Sequence, residues 1–191
     1  MRVHLAVLAA AVALPCAAAP AVAGTAATAS VVGYACKVAA TGQQQDVEID
    51  VELTVPPQAT AGEAMSIGWR GTIVSGKELV APATGMEGEL NMYVYAGISG
   101  IDGLTSATGV AEVGTVIPGE PVPLPQTATM TTTPRGSGGG TVHAASVNFG
   151  LTPQDRLVEC EVKNTAARTE YPLTVLAAAP ARGRRHRGRL R

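Results

Sequence analysis

The chain has 191 residues and a formal net charge of −1, with 46% hydrophobic residues but one tryptophan, one phenylalanine and four tyrosines. That length fits one domain once an export leader is set aside, and the apolar content excludes a wholly disordered protein. A core with so few aromatic rings must be built from Val, Ile, Leu and Ala, which bury less area each.

Residues 1–4 carry Arg2, and an apolar run of alanine, leucine and valine follows over 5–19, the pattern of a signal peptide. Ala21-Val22-Ala23 places small residues before Gly24, so cleavage is expected between Ala23 and Gly24, with Ala27-Thr28-Ala29 as a second site. Pro15 and Pro20 interrupt the run short of the roughly 20 apolar residues of a membrane anchor. Pro15 also stands before Cys16, which argues against lipid attachment there. Nothing after Leu53 reads as a transmembrane segment, so the mature chain is expected to be secreted. Heavy Ala, Gly, Val, Thr and Pro usage points to a GC-rich, actinobacterial source. The expected division is a leader over 1–23, a disordered linker over 24–30, a β-sandwich over 31–176 and a disordered tail over 177–191.

Strands take up the rest. Over 46–55, Val47, Ile49, Val51, Leu53 and Val55 alternate with Asp46, Glu48, Asp50, Glu52 and Thr54, which predicts a strand with one dry and one wet face. Pro56-Pro57 ends it. Weaker alternation marks 32–38, 65–73, 90–96, 107–116, 128–132, 142–149, 157–162 and 171–176, so eight or nine short strands are expected. Turn chemistry separates them, at Gly42, Gly62, Gly76, Gly103, Gly119 and residues 136–140. Such spacing predicts an all-β, antiparallel sandwich. Ala177-Ala178-Ala179 is too short to nucleate a helix before Pro180.

Once Cys16 leaves with the leader, Cys36 and Cys160 remain as the only pair, each within an alternating apolar stretch. In an oxidising compartment they are expected to form one disulfide rather than a metal or redox site, which favours close C-x-x-C spacing.

Charge is split. Over 24–180 there are 15 acidic residues against seven basic ones, a net of −8, while 181–191 holds six arginines and no acid. Arg182, Arg184, Arg185, Arg187, Arg189 and Arg191 form a tail with nothing to build a core from. It is a candidate for salt-sensitive contact with envelope polyanions. The acidic body excludes nucleic acid as the main partner.

No motif carries catalysis, a cofactor or a metal. Gly71 to Lys77 has the glycine and lysine spacing of a phosphate loop but meets Glu78 where a hydroxyl must hold magnesium, so it reads as a turn. The acids of 46–52 read as a solvated, edge-protecting face; alternate carboxylates there lie about 7 Å apart, a spacing glycosidases also use, so a carbohydrate-active enzyme is the alternative reading. His143 has no nucleophile elbow beside it and reads as a surface residue. Tyr93 and Tyr95 share a strand face with Asn91 and are the candidate ligand platform, with packing beneath a loop or across strands as the other reading. The loops at 118–125 and 135–140 give a third alternative, a secreted protease inhibitor, although neither is braced by a disulfide.

Gly33-Tyr34-Ala35-Cys36 after a leader, Thr54-Val55-Pro56, Ala61-Gly62-Glu63, Pro121-Val122-Pro123-Leu124-Pro125, Phe149-Gly150-Leu151-Thr152-Pro153 and Val158-Glu159-Cys160 resemble a family of secreted actinobacterial β-rich domains without an assigned activity. The resemblance covers residues 32–175. It implies an immunoglobulin-like sandwich with the two cysteines bridged, and no active site. The expected role is a non-catalytic exported module whose partner is a cell-wall polymer or another secreted protein.

Overall fold

The computed structural model describes residues 28–86 and 88–180. The leader with its Ala23/Gly24 cleavage point and the arginine tail lie outside the described residues. Ten strands run in chain order: β1 (Ala29–Val38), β2 (Gln44–Thr54), β3 (Gln58–Thr60), β4 (Met65–Ile73), β5 (Asn91–Ser99), β6 (Ser106–Glu112), β7 (Thr127–Thr132), β8 (Gly138–Gly150), β9 (Arg156–Val162) and β10 (Tyr171–Leu176). The sole helical piece among the described residues is a three-residue 3-10 turn, Thr165–Ala167. β1 begins at Ala29, inside the stretch expected to be linker, because Ala29 and Ser30 already pair with Glu52 and Val51.

The pattern of β2 explains its place. Val47, Ile49, Val51 and Leu53 are buried on one face while the acidic residues between them stay exposed or half-buried. β2 pairs with β1 on one side and β4 on the other, both antiparallel. The ladder continues as β3-β10-β8-β5-β6-β7-β4-β2-β1-β9, and β9 also pairs with β8. Eight strands therefore close on themselves, leaving β10 and β3 as an extension of β8. β2 also approaches β8, which is not its ladder neighbour, an arrangement compatible with a two-layered sandwich. One pairing departs from the expected antiparallel pattern: β3 runs parallel to β10. After Pro56-Pro57 the chain leaves the β2 neighbourhood, and Pro57 O accepts the Thr174 N–H at 3.1 Å as β3 joins β10.

Closure needs two tight corners, and a glycine sits at each. The β6–β7 contact consists of Thr108 opposite Thr131 and Gly109 opposite Met130. A methyl group on Gly109 would lie 2.7 Å from the Thr129 carbonyl oxygen. At the β8–β9 corner the register shifts between Phe149 and Gly150, and a side chain on Gly150 would strike Asp155 O and come 2.9 Å from Arg156 Cα. Both obstacles are backbone, which cannot rotate aside.

One end of the stack is capped by paired loops. Val80 bridges to Pro121, Val122 N donates to Leu79 O at 2.8 Å, and Ala81 N donates to Glu120 O at 2.9 Å. The Gln45 amide bonds both main-chain groups of Val80, at 2.8 Å each, standing in for a neighbouring strand. Leu79, Ala81 and Val122 are buried under this cap.

Gly109→Ala is expected to destabilise the protein by about 1–3 kcal/mol through overpacking against the β7 backbone. Gly139→Ala, where nothing lies within 4 Å of the added methyl, is expected to change stability by about 0.5 kcal/mol or less, as surface substitutions do. Urea unfolding of the two variants beside the parent checks the contrast.

Candidate functional site

Cys36 and Cys160 are joined, as the sequence led us to expect. They face each other in the β1–β9 register and are 1% and 2% exposed, so the bond is shielded from solvent reductants. The bridge links adjacent strands of one ladder, whereas the disulfide of antibody domains crosses between sheets. The Cys160 N–H turns away from β1 and donates to Oδ1 of Asn148 at 3.2 Å. Asn148 is the one buried polar residue of the described core, at 1% exposure. Its carboxamide thus completes the ladder where β8 and β9 pair around the bridge. Nearby, burial pushes the Tyr34 phenol well above its ordinary pKa.

The acidic row of β2 is a chain of separate ion pairs. Asp46 Oδ2 takes Lys163 Nζ at 2.7 Å, Glu48 Oε1 takes Lys77 Nζ at 3.2 Å, and Glu52 Oε2 lies 3.9 Å from Arg70 Nε. The cations come from beyond β9, from the turn after β4 and from β4 itself, so each carboxylate is drawn in its own direction. Exposed pairs of this kind contribute about 0–1 kcal/mol each.

The glycine-rich segment before Glu78 is a turn. Gly76 has φ of 80°, Lys77 N donates to Val74 O at 3.0 Å, and Gly76 N donates to Glu78 Oε1 at 3.0 Å. The Trp69 ring lies over Gly71, leaving no open cradle there.

The two tyrosines do not form an open platform. Tyr93 is 6% exposed and its hydroxyl donates to Leu151 O at 3.3 Å, under the loop after β8. Only Tyr95 keeps a partly accessible ring. Nor is His143 a simple surface residue. Its imidazole rests on Gly97, its cross-strand partner, where a side chain would collide with it. Desolvation, then the nearby Arg168 charge, lowers its pKa from 6.5, with Glu170 acting in the opposite sense. The loop at 118–125 is also engaged, since Gly119, Glu120 and Val122 bond to the 79–81 segment.

Two grooves were invisible in the sequence. One of about 390 Å3 brings Glu89 and Glu112 together beside Asn91, because Asn91 pairs with Glu112 at the β5–β6 end. Another of about 250 Å3 lies between β1 and Arg168. Among the described residues no three His, Cys, Asp or Glu side chains gather to hold a metal. No helix there is long and apolar enough to cross a membrane.

Two outcomes are expected. Replacing both cysteines by alanine should cost about 4–5 kcal/mol on the chain-entropy estimate for so long a loop, read from denaturant midpoints. For His143, the folded chain binds a proton less readily than the unfolded chain, so stability is full above about 6.5, falls as pH drops below it, and levels off once the folded form also protonates. His143→Gln should flatten that slope between pH 7 and 5 in urea titrations. No family description, curated protein or solved structure matches this chain.

Proposed function

We propose that the chain is an exported, non-catalytic module of immunoglobulin-like kind, belonging with the secreted actinobacterial β-rich domains its motifs resemble. Its role is to attach to a cell-envelope polymer or to another secreted protein. The observation that carries this reading is the state of the β2 carboxylates: three of the four are bound sideways to separate cations. That is how an outer face stays soluble, and it is not how a pair of acids is poised for bond cleavage. The buried, shielded disulfide supports the exported address, because such bonds persist outside the reducing cytosol. Removal of the leader after Ala23 and binding of polyanions by Arg182, Arg184, Arg185, Arg187, Arg189 and Arg191 belong to the same reading.

The enzyme alternative moves from the β2 row to Glu89 and Glu112, which share a groove. A single preparation separates the two. Purified protein is mixed with isolated cell walls of its source at low and high salt, beside a variant truncated after Pro180. Retention at low salt, lost on truncation and at high salt, is the expected result. Equal behaviour of both forms would retire the tail as the binding element, and release of soluble sugars abolished by Glu112→Gln would overturn the non-catalytic reading.

A further inference from the structure

β1 is paired with β2 along its length, but on its other side with β9 only over Tyr34–Val38. Lys163, one residue past β9, donates its N–H to Gly33 O at 2.9 Å, and there the chain turns away. Residues 29–32 have no ladder partner on that side among the described residues. Main-chain groups of an antiparallel strand point alternately to its two neighbours. The Gly33 bond therefore fixes the direction at Val31, two residues earlier: both its N–H and its C=O face the open side. Its side chain is 61% exposed, the highest value for a large hydrophobic residue among those described.

Folded proteins ordinarily blunt such an edge with charge or cover. Here a groove of about 250 Å3 lies against it, lined by residues 30–33, Asn164, Arg168 and Glu48 of β2. Glu48 is engaged by Lys77. Arg168 donates Nε to Thr165 O at 2.9 Å, and no carboxylate among the described residues lies within 4.0 Å of its guanidinium. Among the described residues the groove thus offers a strand edge without a partner, an apolar contact and an unmatched cation.

Only residues 29–32 of this edge lack a β9 partner, a length that suits one short extended strand. β9 takes this edge from Tyr34 onward and Lys163 bonds Gly33, so a strand that ends at that point fits the open stretch. An amino terminus would bring positive charge to Arg168; a carboxyl terminus brings the complement. We propose that the open edge of β1 takes the carboxyl-terminal residues of a partner polypeptide as an added strand, main chain against Val31 and terminal carboxylate on Arg168. The inference rests on the reading of the chain as a binding module and names a polypeptide as what that module holds.

The test is a titration of 15N-labelled protein with the synthetic peptide Thr-Val-Thr-Val, as free acid and as C-terminal amide. The free acid should shift the Val31 and Gly33 amide signals saturably and slow hydrogen exchange at Val31. Amidation, or Arg168→Gln in the protein, should weaken binding about tenfold, the loss of one charge-assisted hydrogen bond. Val31→Pro removes a donor that serves no bond to β2 and should abolish the shifts without unfolding. No shift at these amides, equal binding of acid and amide, or a change at Val31 on deleting residues 181–191 without peptide would overturn the proposal. Peptide binding and cell-wall retention are read separately, so either can fail alone.

Discussion

Closure of the ladder depends on β9 being held in one register against β1, and the Cys36–Cys160 bond fixes that register. β9 has seven residues and serves both β1 and β8, so it is the strand that closes the ring. A slip of one residue would turn every β9 side chain to the opposite face. The covalent link forbids the slip: Val158 and Cys160 stay inside and Glu159 and Glu161 outside. Asn148 supports the same register from the β8 side through the Cys160 N–H. The other corner, between β6 and β7, has no covalent aid and relies on the missing side chain of Gly109 to let two backbones touch.

Much of this was legible from residue order alone. The alternation of β2 needed no context, because a half-buried strand writes its two faces into consecutive residues. Nine of the ten strands overlap the alternating stretches, although β8 already starts at Gly138, inside the glycine run expected to turn, and β6 stops at Glu112 rather than 116. The tenth, β3, was not legible, since three residues carry no period and its partner, β10, lies more than a hundred residues away. Ladder closure was likewise hidden, because it is a property of pairing between distant segments and leaves no local mark.

The candidate sites divide along the same line. The disulfide could be read because only one partner was on offer. Tyr93 follows the loop-packing one of its two readings, while for His143 facing outward from a strand was equated with facing water. A loop covers the first, and the bare backbone of Gly97 lets the second lie flat. Glu89 and Glu112, or the slot beside Arg168, appear only once the register is known, since their members come from separate strands and loops.

The separation of 124 residues between the bridged cysteines also sets an order of events in folding. β1 can dock on β2 as soon as both exist, but its other flank waits for β9, made when most of the chain is already out. Until then a hydrophobic strand stands with one side unclaimed and a thiol at its centre. Such long-range pairing slows folding, because loop-closure entropy is lost before contacts compensate it. The bridge therefore joins a late, long-range pairing, and until it forms the β9 flank of β1 is open to pairing with the wrong neighbour.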